Sequence, residues 1–249
     1  MKSASAQAVQ AVWNAPPFKC LPEQLMNSVI DAGTIKACSD EELLVAQGDQ
    51  PTQMFVVIRG QLRTHITNAD GGEVTLRVVE AGQSCMGVIL FMGTASPYSV
   101  SAVGDTVLWQ VPARFVRQLV LNYPDFATTM LGIAADNYRG AIAQLDAVTL
   151  RTPFQRIGHY LLVEFIATDS DELTFDLRLK KSLIANHLGM TPETLSRAFQ
   201  KMRAFGIITD GRTITMQDAF ALCHFCDLHT RETCPRKDSA ACSTCDLTL

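Results

Sequence analysis

Hydrophobic residues follow two different patterns along the chain, and the change between them predicts its organisation. In the first half, short runs rich in β-branched and aromatic residues are separated by glycine-containing turns. Four of these runs are 54–58, 61–66, 74–79 and 106–111. Short strands at this spacing predict a small β-roll or barrel over residues 21–111, preceded by an N-terminal extension at 1–20.

A long helix is predicted from about Pro124 to Leu150, within a connecting region at 112–150. Apolar and small residues recur along it at alternating spacings of three and four, which is the seam of a coiled coil. The seam residues are Leu131, Ala134, Tyr138, Ala141, Leu145 and Val148. We expect the seam to join two copies as a homodimer; the alternative is a helix buried within its own chain.

The pattern of residues 151–217 predicts a winged helix-turn-helix. A short first helix covers residues 182–188, Gly189 forms the turn, and Thr191 and Pro192 are suited to begin the second helix as its N-cap and first residue. Two short strands around Asp210-Gly211 would then form a wing.

The second helix of this motif carries candidate base-reading side chains. Glu193, Ser196 and Arg197 share one helix face because they stand at i, i+3 and i+4. The Arg fork matches guanine O6 and N7, Glu can accept from the cytosine amino group, and Ser fits beside a thymine methyl. We therefore expect double-stranded DNA as the partner; the alternative is a surface helix whose charges are only solvated.

Charge distribution supports this expectation although the net charge is −4. Between Phe175 and Arg212, basic residues outnumber acidic ones by seven to three. Residues expected to contact phosphates, and so to hold register without reading sequence, are Lys180, Lys181, Thr191, Lys201 and Arg212. The alternative for each of the charged residues is a solvated surface charge.

These motifs resemble the Crp/Fnr superfamily of bacterial transcription regulators over about residues 20–217. Glu193-x2-Ser196-Arg197 is similar to the recognition-helix signature of the Fnr-type branch, whereas the cyclic-AMP-receptor branch has Arg where Pro192 stands. The resemblance implies a half-site like TTGAT and contact with RNA polymerase.

The first half is similar to the β-roll of cyclic-nucleotide-binding domains, on the pattern of Gly48-Asp49, residues 54–57 and Gly60. The fold class expected is therefore α+β: a cyclic-nucleotide-binding-like β-roll, a long dimerisation helix and a C-terminal winged helix-turn-helix. Cyclic-nucleotide binders of the family carry Glu for the ribose and Arg for the phosphate. Here Gly87 or a neighbour and Tyr98 stand in those places, so we expect a redox or gas signal rather than cyclic AMP.

The tail, residues 218–249, contains five of the eight cysteines: Cys223, Cys226, Cys234, Cys242 and Cys245. The outer four form CxxC-x15-CxxC, a thiolate-ligand spacing. Four interpretations stay open, namely a [4Fe-4S] cluster, zinc, a redox dithiol and an unligated tail. Spacing alone favours zinc. A resemblance to some Fnr regulators of bacilli, with C-terminal cluster cysteines, favours the iron-sulfur cluster.

Haem is a further candidate cofactor, because related carbon-monoxide and nitric-oxide regulators bind it in the β-roll. His65 and Cys85 are the candidate axial ligands, and the alternative is that both are packing residues.

Three classes of function compete: an effector-controlled dimeric regulator, a constitutive DNA-binding regulator with a structural zinc tail, and a metal-dependent enzyme. We expect no enzyme, since the sequence has no HExxH, no paired carboxylates and no HxE with PCxxC. The longest apolar run, residues 88–92, is far below the roughly 20 residues of a membrane span, and residues 1–14 do not resemble a secretory signal. The expected location is the cytoplasm, with no membrane partner.

Overall fold

The computed structural model describes residues 6–168, 172–218 and 220–235. Backbone contacts divide the chain into an N-terminal unit, Met1–Ile142, and a C-terminal unit, Ala143–Leu249. The α-helices are α1 (Ala6–Asn14), α2 (Met26–Ala32), α3 (Ala113–Asn122), α4 (Pro124–Leu150), α5 (Pro153–Ala167), α6 (Lys181–His187), α7 (Pro192–Met202) and α8 (Leu228–Glu232). The strands are β1 (Thr34–Cys38), β2 (Leu43–Val45), β3 (Gln53–Thr67), β4 (Glu73–Glu80), β5 (Ser84–Cys85), β6 (Ser99–Pro112), β7 (Thr174–Asp176), β8 (Ile207–Asp210) and β9 (Thr213–Met216). Within the ranges described, no helix is long and apolar enough to cross a membrane.

The N-terminal unit is built on one antiparallel sheet in the order β1-β6-β3-β4, with β2 paired to β6 and β5 paired to β3. The long strands β3 and β6 run side by side from the pair Gln53–Pro112 to the pair His65–Ser99. Two apolar clusters form its core, one around Trp109 and the other around Phe55 and Leu108. The predicted N-terminal β-sheet domain is confirmed, but the range 21–111 is not all-β, because helix α2 lies within it.

One predicted strand break is wrong. Residues 54–58 and 61–66 belong to the single strand β3, and the register shifts around Arg59 instead of reversing the chain. Gly60 has a φ of +83°, and a Cβ there would lie 2.5 Å from Thr106 Oγ1. The Arg59-Gly60 pair is therefore a β-bulge pressed against the partner strand, which only glycine allows without strain.

The predicted N-terminal extension is part of the core of this unit. Val12, Ala15 and Phe18 are all at most 1% exposed and pack in the same cluster as Trp109. The rings of Phe18 and Trp109 meet edge to face, with centroids 5.3 Å apart. The sequence analysis treated residues 1–20 as an extension outside the β-roll and did not predict this packing.

The C-terminal unit contains helices α5, α6, α7 and α8 and a three-stranded sheet in the order β7-β9-β8. Helix α5 begins with a capping box: Gln155 N–H donates to Thr152 Oγ1 at 3.3 Å, and Thr152 N–H donates to Gln155 Oε1 at 2.9 Å. The side chains that are fully or nearly fully buried in this unit include Ile157, Leu161, Leu177, Ile184, Leu195, Met202, Ile207 and Ile214. The helix pair and the two-stranded wing lie where the sequence predicted them.

Candidate nucleic-acid interface and effector region

Helix α7 is fixed at its start by the predicted cap. Thr191 has extended backbone angles, its Oγ1 accepts from Thr194 N–H at 3.3 Å, and Pro192 occupies the first helical position. The apolar face is buried through Leu195, Phe199 and Met202, each at most 3% exposed. The cap and this buried face determine which side of α7 remains available.

The available side of α7 presents Glu193, Ser196 and Arg197, and all three are exposed. The backbone N–H of Glu193 itself, the Thr191 hydroxyl and the Arg197 guanidinium hold the pKa of the Glu193 carboxyl below its ordinary value. An ionised Glu beside Arg offers a hydrogen-bond acceptor and a donor fork on one surface. That combination suits the base edges of a DNA major groove.

The turn between α6 and α7 is stabilised by a hydrogen bond from helix α5. Gly189 has a φ of +62°, which the turn between α6 and α7 requires. Arg156 of α5 donates from Nη1 to the Leu188 carbonyl at 2.6 Å. This charge-assisted bond fixes the angle at which α7 leaves the turn.

The candidate phosphate contacts lie around α7 in different settings. Lys180 is exposed at the start of α6, while the Lys181 ammonium lies 5.3 Å from the centre of the Phe199 ring. The Lys201 ammonium lies 5.6 Å from the centre of the Phe154 ring. Both ammonium groups lie over aromatic rings of the C-terminal unit, and their DNA contacts stay predictions.

Two further candidates already have structural roles. The Thr191 hydroxyl caps α7, as described above. The Arg212 guanidinium donates from Nε to the Leu177 carbonyl at 2.8 Å and from Nη2 to the Arg178 carbonyl at 2.9 Å. Arg212 therefore braces the wing against the segment between β7 and α6, and its contact with phosphate stays a prediction.

The predicted dimer seam lies on α4 and is largely uncovered in one chain. Leu131 is 71% exposed, Tyr138 69% and Leu145 65%. Ala141 is exposed and Ala134 is half-buried, whereas the side chain of Val148 lies outside the described residues. By contrast, Phe126 and Met130 at the start of α4 are buried in the core of the N-terminal unit.

The β-roll carries hydrophobic packing where a nucleotide ribose would be expected. A Cβ at Gly87 would lie 3.0 Å from Met54 Sδ and 3.1 Å from Met130 Cε. A carboxylate side chain at this position would therefore meet two methionines. Tyr98 is half-buried, and burial followed by the nearby Cys85 raises the pKa of its hydroxyl, so that it stays neutral.

A polar bridge near Tyr98 was not foreseen from the sequence. Arg77 of β4 donates from Nη1 to Asn137 Oδ1 of α4 at 2.6 Å, and its charge acts on Tyr98 and Cys85. Strand alternation was the available signal, since Arg77 shares a face with the buried residue Val79. The N-terminal unit therefore has a cation on β4 in contact with α4.

The candidate haem ligands are both buried. His65 Nε2 lies 3.7 Å from Glu73 Oε1, and Arg63 Nη1 pairs with Glu73 Oε2 at 2.6 Å. Burial and then Arg63 lower the pKa of His65, while burial raises that of Cys85 to about 11. Cys85 packs in the apolar cluster around Phe55. A haem role for these residues stays a prediction.

The tail cysteines are divided by the limits of the described chain. Cys226 is 3% exposed, Cys223 and Cys234 are half-buried, and Cys242 and Cys245 lie outside the described residues. Burial, then the Cys223 thiol and Asp227, raise the pKa of the Cys226 thiol to about 12, and Cys234 adds to the shift. Through residue 235, excluding the undescribed positions, no three His, Cys, Asp or Glu side chains are grouped closely enough to hold a metal ion.

Comparisons with known protein families match both units. Residues 35–123 match the model of the cyclic nucleotide-binding domain, and residues 155–225 match that of the Crp-like helix-turn-helix domain. The transcriptional activator protein FnrA of Stutzerimonas stutzeri is 25% identical over 186 residues, covering 73% of this chain and 76% of the relative. The global nitrogen regulator of Synechococcus elongatus is 25% identical over 167 residues, covering 65% of this chain and 75% of the relative.

Solved structures have the same fold. FixK2 from Bradyrhizobium japonicum has a TM-score of 0.69 at 18% identity and covers 78% of this chain and 98% of its own. A CooA mutant from Carboxydothermus hydrogenoformans has a TM-score of 0.69 at 19% identity, covering 90% of this chain and 97% of its own. With a nucleotide-binding-like β-roll, a capped helix-turn-helix and regulators among its relatives, this chain belongs to the Crp/Fnr superfamily of DNA-binding transcription regulators.

Proposed function

We propose that this regulator binds as a homodimer to an inverted repeat of a TTGAT-like half-site and reads bases with Glu193, Ser196 and Arg197. The observation that carries the proposal is the two-sided character of α7: its apolar face is buried in the C-terminal unit, and its exposed face carries these three side chains. The half-site follows from the similarity of this face to the Fnr-type signature. Contact with RNA polymerase, implied by the same resemblance, belongs to the proposal.

The base-reading role is tested by paired variants on matched and scrambled duplexes. Arg197→Ala removes a fork expected to contact guanine, so binding to the matched duplex should weaken by about 1–3 kcal/mol. Lys201→Ala should weaken binding to both duplexes alike, because a phosphate contact carries no sequence information. Equal losses on both duplexes for Arg197→Ala would refute the assignment.

Dimerisation is supported by the exposed seam on α4. Three large side chains that repeat at heptad spacing are each more than 60% exposed, and a second copy of α4 would bury them. A two-fold dimer also presents two α7 helices to the two halves of a palindrome.

The dimer is tested by sedimentation of Leu145→Asp. A buried charge at the seam should convert the protein largely to monomer. Leu121→Asp is the matched control, because Leu121 is 82% exposed on α3, away from the seam. A Leu145→Asp protein that sediments like the unsubstituted chain would exclude this seam.

The effector in this proposal is a redox or gas signal and not cyclic AMP. The packing of Gly87 against Met54 and Met130, with Tyr98 in the place of a phosphate-binding Arg, supports this choice. An uncompensated buried phosphate would cost several kcal/mol. Cyclic AMP should therefore leave DNA affinity unchanged.

A constitutive regulator is the second candidate, because the ends of Met54 and Met130 lie beside Gly87, where a ribose-binding carboxylate would be expected. Affinity for the matched duplex, measured in oxidised and reduced preparations and with carbon monoxide or nitric oxide, separates the two. A change under any one condition supports the sensor, and an unchanged affinity under all of them supports the constitutive regulator.

A further inference from the structure

The cysteine-bearing segment after the wing packs tightly on α5. Ala221, Leu222 and Phe225 are at most 8% exposed within the short helical turn Ala221–Phe225. Gly158 of α5 allows this approach, because a Cβ there would lie only 2.6 Å from both Cβ and the carbonyl oxygen of Phe225. The position of Phe225 is therefore tightly restricted by α5.

Aromatic contacts connect Phe225 to the end of α7 as well. Phe205, three residues after α7, meets Phe225 edge to face with ring centroids 4.9 Å apart. Phe154 of α5 stacks on Phe225 with centroids 6.0 Å apart. A change at Phe225 therefore acts directly on residues that support the end of α7.

Two free thiols lie on either side of Phe225 in the sequence, at Cys223 and Cys226. Cys226 N–H donates to the Cys223 carbonyl at 3.3 Å, and a tight turn closed by such a bond keeps its first and fourth Cα atoms within about 7 Å. A disulfide also requires Cα atoms no more than about 7 Å apart, so the backbone already meets this condition. After burial, the Cys223 thiol is the next cause that raises the pKa of the Cys226 thiol, which indicates that the two sulfurs are close.

The backbone beyond this pair is fixed by two arginines. Arg231 of α8 donates from Nε to the Cys226 carbonyl at 3.1 Å. Arg151, the residue after α4, pairs with Asp227 at 2.9 Å. Because Cys226 is fixed on this side, a bond between the two thiols would act mainly on the turn before it, where Phe225 lies.

We propose that Cys223 and Cys226 form a reversible oxidation site, and that the disulfide between them stiffens the support of α7 and so supplies the redox signal of this regulator. The oxidant is hydrogen peroxide. Cys223 Sγ attacks the O–O bond, becomes a sulfenic acid and releases one water; Cys226 Sγ then attacks the sulfenic sulfur, forms the S–S bond and releases a second water. Two thiols thus lose two electrons and two protons, one peroxide is reduced to two waters, and a dithiol reductant reopens the bond.

The difference in exposure determines the order of the two steps. Cys223 is half-buried whereas Cys226 is only 3% exposed, so the peroxide reaches Cys223 first. Burial also keeps Cys226 protonated, so the closing step should take minutes to hours. Cys234 is the competing partner of Cys226, but it lies outside the hydrogen-bonded turn that Cys223 and Cys226 share.

The test is a non-reducing tryptic map of the full-length protein, treated with hydrogen peroxide and then blocked at its free thiols. Trypsin leaves Cys223 and Cys226 together in peptide 213–231, whereas the other tail cysteines lie in peptides 232–236 and 238–249. We expect peptide 213–231 to lose about 2 Da, the mass of two hydrogens, and to regain it with a dithiol. A peptide 213–231 that stays reduced, or that becomes joined to either of the other two, would overturn the proposal.

Serine variants separate the two chemical steps. Cys226→Ser should stop at a sulfenic acid on Cys223, which a 1,3-diketone probe labels, and Cys223→Ser should give neither label nor disulfide. Because Cys223 is only half-buried, its substitution keeps the test valid even where Cys226→Ser disturbs folding. Cys234→Ser is the matched control and should form the disulfide like the unsubstituted chain. Labelling of Cys226 in Cys223→Ser, or loss of the disulfide in Cys234→Ser, would contradict the assignment.

The stiffening is measured by amide exchange of the oxidised and reduced protein. The disulfide should slow exchange in residues 221–226 and 203–206, because a cross-link removes open states of the turn that Phe225 and Phe205 stabilise. Exchange in β3, in the N-terminal unit, should not change. Unchanged or faster exchange in both segments would exclude the bracing role.

Only the regulatory consequence rests on the proposed function. A preorganised α7 should bind the matched duplex at least about fivefold more tightly in the oxidised protein, and Cys223→Ser should show no such change. Equal affinities of the oxidised and reduced protein for the matched duplex would overturn the signal. A reduced protein that does not distinguish the matched from the scrambled duplex would instead refute the proposed operator, and in that case the peptide map still decides the oxidation site.

Discussion

The substitution Gly158→Ala tests the close packing between α5 and the turn Ala221–Phe225. In an exposed helix, Gly→Ala stabilises a protein by about 1 kcal/mol through helix propensity. At Gly158, the new Cβ would lie 2.6 Å from two atoms of Phe225, about 1 Å inside ordinary contact, and one of them is backbone. The turn must shift, and overpacking of this kind costs about 1–3 kcal/mol.

The steric cost is isolated by a matched control on α4. Gly140 is exposed, lies off the predicted seam and has nothing within 4 Å of an added Cβ, so Gly140→Ala gains the propensity alone. Hydrogen exchange of α5 amides gives the local free energy of opening, and the two variants should differ by about 1–3 kcal/mol. Slower α5 exchange in Gly158→Ala, matching the slowing of α4 in Gly140→Ala, would refute the described packing.

Three further predictions concern the C-terminal unit. Arg178→Ala should lower the free energy of unfolding by about 2 kcal/mol in chemical denaturation, because the Glu164 carboxylate loses the guanidinium that donates to it at 2.8 and 3.0 Å. Glu164 is only 6% exposed, so water cannot fully replace this partner. The loss should be smaller when Arg178→Ala is combined with Glu164→Gln. Thr191→Ala should cost about 1 kcal/mol by removing the cap of α7, and Thr191→Ser should restore most of it. The pKa of the Glu193 carboxyl, measured by NMR titration, should lie below its ordinary value of 4.5. The ionised carboxylate then contributes to stability above pH 4.5, and this contribution is lost as the pH falls through the lowered pKa. A titration midpoint at or above 4.5 would contradict the contacts assigned to this carboxyl.

Local signals in the sequence predicted most of the C-terminal unit correctly. The Thr191-Pro192 cap, the Gly189 turn and the Asp210-Gly211 turn act within a few residues, and the structure places α7 and the wing accordingly. The long helix Pro124–Leu150 was predicted with the same bounds because its start signal and periodicity are also local.

The sequence did not predict features that depend on distant partners. The sequence predicts a turn at Gly60, because its contact with Thr106 of the neighbouring strand is visible only in the structure. Arg77 bonds to Asn137, sixty residues away, and the partner could not be identified from strand alternation alone. Phe225 likewise packs against Gly158, which is 67 residues earlier in the chain. The sequence alone therefore gave no sign that the segment after the wing packs on α5.

The seven-residue repeat on α4 restricts how the length of this helix can vary. Each added residue turns everything beyond it by about 100° and advances it by about 1.5 Å. An insertion of two residues would carry Leu145 to the far side of the helix, whereas an insertion of seven would return it to within about 20° of its original direction. If the seam is kept by selection, insertions and deletions in this helix should come in whole heptads, and a designed two-residue insertion should abolish pairing while a seven-residue insertion preserves it.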